Sequence, residues 1–257
     1  MAPSIAKRLA KSTLRSLDYT LLDLRKNNDL RVFLPGHLKS VFATLKINCV
    51  IDVGANVGEY GRMLRRIGYR ERIISFEPVR GVFEKLKQTA AGDNAWTTLN
   101  IACGSIEEER SINIFSFEVL NSLLPPSPQM NSIDPAGVER TETVSVRRLD
   151  SLFEEAISGL QHPRVFLKTD TQGYDLEVIK GAGEYLQQVL GLQSEIALQP
   201  LYLGVPDYLE FLEECRKLGF EPTGFFPIFH CPTSKQMVEL DAVLTRRPAT
   251  GFDETVQ

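Results

Sequence analysis

The sequence has little of what metal, disulfide, membrane and nucleic-acid proteins need. Four cysteines, Cys49, Cys103, Cys215 and Cys231, are spread over 257 residues, and no two stand in a C-x-x-C pair. That spacing offers no zinc knuckle and no dithiol motif, and reads as free thiols of a reducing compartment, with a cytoplasmic location expected. The three histidines, His37, His162 and His230, are isolated and outside any ligand spacing, so no metal is expected. No apolar run reaches the about 18 residues of a membrane span. No N-x-[ST] sequon is present. Excess positive charge is absent too. The 29 Lys and Arg against 33 Asp and Glu give a net charge of -4, which argues against a chain built to hold nucleic acid. Internal repeats and low-complexity tracts are also missing.

What is present is the composition of a folded protein. With 43% hydrophobic and 24% charged residues, the chain can bury a sizeable core without staples. The organisation reads as a helical extension over 1–46, one main domain over 47–247 and a short tail over 248–257. Residues 1–17 carry Lys7, Arg8, Lys11 and Arg15 and no acid, with a thin apolar stripe of Ile5, Leu9, Leu14 and Leu17. We read this segment as helix packing on the domain; weak peripheral contact with a membrane surface is the other reading. Pro35-Gly36 breaks the helical pattern that runs to residue 46.

The character changes at Cys49. Short apolar runs at 49–53, 72–76, 96–102, 165–170 and 189–198 have the signature of buried strands, and helical patterns at 57–67, 79–90, 149–157, 174–180 and 207–218 separate them. Such alternation makes βαβ units and a parallel sheet. Residues 111–117 and 143–147 read as further strands, the first an edge strand. Between them lies a loop marked by Pro125, Pro126, Pro128 and Pro135. A terminal antiparallel pair is expected at 220–229 and 237–245, in which Phe225, Phe226 and Phe229 are core or rim residues.

The strongest local chemistry is Asp52-Val53-Gly54-Ala55-Asn56-Val57-Gly58, where a buried strand turns into a helix. Glycines there let the backbone approach a ligand, and ligands of open parallel sheets bind beyond the carboxyl ends of the strands. A dinucleotide site wants G-x-G-x-x-G. This segment has G-x-x-x-G, with an acid two residues before the first glycine. A carboxylate is a poor neighbour for a pyrophosphate and a good one for a ligand carrying an ammonium and a sulfonium. The residues therefore favour S-adenosylmethionine over NAD. Glu77, followed by Pro78, ends the next strand 25 residues after Asp52, where an acid accepts ribose hydroxyls. Ala102 and its small neighbours at the end of the third strand leave room for an adenine.

The ordered set Val50-Ile51-Asp52-Val53-Gly54-Ala55-Asn56-Val57-Gly58, Phe76-Glu77-Pro78, Val146-Arg147-Arg148-Leu149-Asp150, Leu167-Lys168-Thr169-Asp170-Thr171-Gln172-Gly173-Tyr174-Asp175 and Val178-Ile179-Lys180-Gly181-Ala182 resembles the FkbM-type methyltransferases. The resemblance covers about residues 48–245. It implies a Rossmann-like, doubly wound, mostly parallel seven-stranded methyltransferase sheet that binds S-adenosylmethionine. It also implies an O-methyltransferase acting on a small-molecule or glycan hydroxyl. Carried over by position, Asp52, Gly54, Asn56 and Gly58 line the methionine end, Glu77 holds the ribose and Asp170 faces the cleft. The chain departs from many members at Gln172 and Asp175, where they carry Glu.

Methyl transfer to a hydroxyl needs positioning and a base. Asp170, at the carboxyl end of the fourth main strand, is the candidate base. Glu195, near the end of the fifth, is the candidate assistant, with an ion pair to Lys168 as its structural alternative. Asn121-Ser122 is a candidate substrate contact. A non-catalytic protein that only binds S-adenosylmethionine remains the competing reading. The sequence carries no code for oligomeric state.

Overall fold

A computed structural model describes residues 33–231 and 234–247. The expected helices before residue 33, the basic 1–17 segment and the 248–257 tail lie outside the described residues.

The first described element, α1 (Leu34–Leu45), has Pro35 in its first turn. The Pro-Gly pair thus opens a helix rather than breaking one, because a first-turn residue has no intrahelical N–H bond to lose. Lys46 closes α1 in the left-handed conformation. Leu34, Leu38, Val41 and Phe42 face inward at helical spacing, and the Phe42 ring meets Phe166 edge-on at 4.8 Å.

The main sheet has seven strands: β1 (Cys49–Val53), β2 (Arg72–Phe76), β3 (Trp96–Leu99), β7 (Val165–Thr169), β8 (Val189–Ala197), β9 (Phe220–His230) and β10 (Met237–Arg246). Their order is β3-β2-β1-β7-β8-β10-β9. The pairings from β3 through β8 are parallel, while β10 runs antiparallel to both β8 and β9. The expected terminal antiparallel pair is therefore present, with its second strand inserted inside the sheet edge. All five residues of β1 and of β7 are buried, as strands covered on both faces must be. Helices α2 (Glu59–Arg66) and α3 (Arg80–Ala90) lie on the α1 face; Leu64 and Leu86 join Val50, Ile73 and Phe166 there. Helices α4 (Leu149–Ile157), α5 (Asp175–Gly181) and α6 (Tyr208–Lys217) cover the opposite face. There Phe153, Val178 and Phe211 pack on Ile51, Val53 and Leu167. Alternate residues of β1 serve the two cores, and the sheet is doubly wound.

The strand expected over 96–102 is two strands. β3 ends at Leu99, and the Asn100 amide then donates to the carbonyls of Glu77 and Pro78 at 2.9 and 2.8 Å, turning the chain out of the main sheet. Ala102–Gly104 becomes β4 of a second sheet, beside β6 (Val138–Arg148), which also pairs with β5 (Glu108–Phe115). The edge strand expected at 111–117 is this β5, starting earlier and ending sooner. The order of the main sheet reverses between β1 and β7, so the crevice beyond their carboxyl ends is where a ligand site is expected.

Candidate active site

The turn after β1 is shaped by close approach. Gly54 has φ +72°, and a Cβ on it would stand 1.9 Å from the Asp170 carbonyl oxygen. The amides of Gly54 and Ala55 donate to the Phe76 carbonyl, at 3.0 and 2.9 Å, tying the turn to the end of β2. Asn56 also adopts a positive φ, and its amide donates to Glu77 Oε2 at 3.0 Å. Glu77 Oε1 accepts from the Val79 amide at 2.9 Å. Two backbone N–H groups thus hold the carboxyl in a fixed plane, each leaving one acceptor direction on its oxygen. Glu77 is 6% exposed. Burial pushes its pKa up to about 7, against the opposing pull of the two amides and of Lys168.

Beneath this turn a polar row crosses the buried sheet. Ser75, Asp52, Lys168 and Gln193 lie side by side on β2, β1, β7 and β8. Ser75 Oγ accepts from the Trp96 indole at 3.0 Å and donates to Asp52 Oδ2 at 2.9 Å. Lys168 Nζ stands 3.1 Å from Asp52 Oδ1 and 3.5 Å from Asp170 Oδ2, and donates to the Gly54 carbonyl at 3.0 Å. Burial by itself would push the Lys168 ammonium down, but Asp52 and then Asp170 more than offset it and the net shift is upward. Asp52 is fully buried and does not line the cavity above. The Asp52 carboxylate, expected to meet a cationic donor, faces the Lys168 ammonium in the folded sheet. The ion pair with Lys168 that was the structural alternative for Glu195 is not formed; Lys168 pairs with Asp52 and Asp170. Gly58 does not line the cavity either. It caps α2 in the left-handed conformation and lets that helix seat close to Leu86, Thr89 and Trp96.

The cavity has a volume of about 610 Å³, within the range of small-molecule sites. Gly54, Asn56, Glu77, Pro78, Ala102 and Cys103 line it from β1, β2 and β4. From the other side come Asp170, Gln172, Glu195, Glu239 and Asp241, with Tyr60, Lys168 and Gln193 below. Asn121 and Ser122 line it as well. The Asp170 side chain is 40% exposed. Gln172, at φ +54°, bridges the two candidate catalytic acids: its amide donates to Asp170 Oδ1 at 3.3 Å and Glu195 Oε1 at 3.0 Å. The Tyr202 hydroxyl donates to its carbonyl oxygen at 3.0 Å. Glu195 stands opposite Asp241 across β8 and β10. Burial, then Asp170, Glu239 and Asp241, drive its pKa well above the ordinary range.

Sequence reasoning did not bring Tyr60, Lys168, Gln172, Gln193, Glu239 or Asp241 to the cavity. A signal existed for two of them. Lys168 and Gln193 each follow an apolar run, Val165–Leu167 and Val189–Leu192, inside a strand. Among the described residues, no group of three or more His, Cys, Asp and Glu side chains could hold a metal ion. No described helix is long and apolar enough to cross a membrane.

Residues 52–222 match the Methyltransferase FkbM domain. Methyltransferase sdnD of Sordaria araneosa is 26% identical over 157 residues, 52% of this chain and 60% of that protein. The chain thus matches about three fifths of the length of that curated relative. Among solved structures, magnesium protoporphyrin IX methyltransferase from Synechocystis, determined with bound SAM, is 12% identical. The alignment covers 96% of this chain and 99% of that one, at a TM-score of 0.42. An rRNA methylase from Streptococcus thermophilus is 12% identical over 82% of this chain and 96% of its own, also at 0.42.

Proposed function

The chain belongs to the Methyltransferase FkbM domain family, a family that uses S-adenosylmethionine, and from that premise we propose that it is an O-methyltransferase acting on a polyhydroxylated small molecule or glycan. The observation that carries this reading is the position of Asp170. Its backbone packs on the donor-loop glycine, and its carboxylate opens into the cavity between that loop and the wall formed by β8 and β10.

The residues suit the cofactor. Glu77 has two acceptor directions left for vicinal ribose hydroxyls. Pro78, Ala102 and Cys103 offer the uncharged, narrow wall that a purine needs. S-adenosylmethionine, when bound, supplies a methyl group on a positively charged sulfur, a strong electrophile. The chain's own task is to place a hydroxyl in line with it and to receive the hydroxyl proton. Asp170 is assigned the proton. Glu195, whose pKa burial pushes upward, is assigned to donate a hydrogen bond to the acceptor in its protonated form, while the Gln172 amide keeps the two acids in fixed relation. Carboxyl, carboxamide and hydroxyl groups of Glu239, Asp241, Gln193 and Tyr60 suit an acceptor with several hydroxyls.

The test is transfer of labelled methyl from S-adenosylmethionine to a panel of glycans, glycosides and hydroxylated natural products, with matched amines in parallel. Label on hydroxyl oxygens with wild type, lost in Asp170→Asn, supports the proposal. Label appearing only on amines refutes it.

A further inference from the structure

The Lys168 side chain is 5% exposed, yet its ammonium touches parts of the protein that belong to different tasks. It reaches Asp52 on β1 at 3.1 Å, the Gly54 carbonyl in the donor loop at 3.0 Å and Asp170 beyond β7 at 3.5 Å. The Tyr60 ring lies 5.4 Å away. An ammonium has three N–H donors and no acceptor; here it is hydrogen-bonded to the Gly54 carbonyl and ion-paired with the carboxylates of Asp52 and Asp170.

Neutralising Asp52 would not by itself require this arrangement. Ser75 already donates to Asp52, and a serine or asparagine at position 52 would need no cation at all. What the lysine adds is a bond from the end of one strand to the carbonyl of the turn after its neighbour. That turn is the one whose glycine sits against the Asp170 backbone. The glycine loop and the candidate base are thereby held from one point, on opposite sides of the sheet's order reversal.

We propose that Lys168 is a positioning residue. It clamps the donor loop at Gly54 to the carboxylate of Asp170, and by taking the charge of Asp52 it leaves Asp170 as the carboxylate presented to the cationic donor. The inference rests on the cofactor reading above, and it concerns donor binding whatever the acceptor is.

The experiment uses S-adenosylhomocysteine as probe, with the full chain. Calorimetry on wild type comes first; absence of binding there refutes the cofactor reading itself and is distinguishable from anything the variants show. The informative variants are the double replacement D52N/K168M, which removes both buried charges together, and K168R, which keeps the charge but replaces a point donor by a planar fork. Thermal unfolding close to wild type, with binding weakened at least tenfold in the double variant and at least fivefold in K168R, supports the clamp. Wild-type affinity in either folded variant overturns it, because charge balance alone would then suffice. If neither variant folds, NMR of the wild-type lysine ammonium decides. Slowly exchanging Lys168 Nζ protons with a through-bond coupling to the Gly54 carbonyl support the proposal, and rapid exchange without coupling overturns it.

Discussion

Replacing Glu77 by Gln tests the ribose assignment with a magnitude that follows from its surroundings. The carboxyl sits between the Asn56 and Val79 amides and has a pKa of about 7 against an ordinary 4.5. At about 1.4 kcal/mol per unit, that displacement corresponds to about 3 kcal/mol. The folded value is the higher one. The stabilising effect is therefore complete below the unfolded value and is lost as pH rises from about 4.5 to about 7. Glu77→Gln removes this pH dependence but turns an NH₂ group toward one backbone N–H, at a cost of about 1–3 kcal/mol. Stability at pH 8 should consequently change little, while at pH 5 the variant should be the less stable protein. Binding runs the other way, because ribose hydroxyls donate best to the ionised carboxylate. One unit below its pKa, about a tenth of the group is ionised. Wild-type affinity for S-adenosylhomocysteine should thus rise about tenfold from pH 6 to pH 8. The variant should bind ten- to a hundredfold more weakly at pH 8, with no pH dependence, in line with about 1.5–3 kcal/mol for a bond to a charged acceptor. Calorimetry across that range is the assay. Equal affinity of variant and wild type at pH 8, together with a flat wild-type profile, refutes the reasoning.

Three further outcomes are expected. Gly54→Ala places a methyl 1.9 Å from a backbone oxygen at positive φ, so β1 and β7 must part; urea unfolding should show a loss of about 4 kcal/mol, and a loss below about 1 kcal/mol contradicts the packing. Asp170→Asn should lower methyl transfer by about 10²–10⁴-fold with little effect on binding of S-adenosylhomocysteine, whose sulfur carries no charge; equal losses in both would refute the base assignment. Difference infrared spectra of Glu195→Gln against wild type at pH 7 should show one protonated carboxyl band lost. A lost carboxylate band would instead mean that Glu195 is ionised there.

Much of the fold was legible because buried parallel strands leave a plain trace. Cys49–Val53, Arg72–Phe76 and Val165–Thr169 are short apolar runs separated by helical spacing, and their boundaries agree with the sequence reading to within a residue. The β3–β4 division was not legible. Leu99, Ile101 and Ala102 continue an apolar pattern, and only the bonds from Asn100 to two carbonyls on another strand reveal the turn. The second sheet was hidden for a related reason: β4 meets β6 across some forty residues of intervening chain.

At the site, the glycine turn and Glu77 were readable from local spacing. The partner of Asp52 was not, because it is set by register between strands more than a hundred residues apart. Nothing in the sequence signals that Asp52 is enclosed while Asp170 is the acid that opens into the cavity, a difference only the folded sheet defines. Glu195 was identified as an acid near the cleft. The upward push on its pKa, from burial and then Asp170, Glu239 and Asp241, depends in part on acids brought alongside by the inserted antiparallel strand.

The most direct test of the account is a crystal structure of the full chain with S-adenosylhomocysteine. The account predicts ribose hydroxyls on Glu77, the purine against Pro78 and Ala102, and the sulfur facing Asp170 with Lys168 still bound to the Gly54 carbonyl. Density for the ligand away from Glu77, or a sulfur pointing away from the wall formed by Asp170 and Glu195, would contradict it.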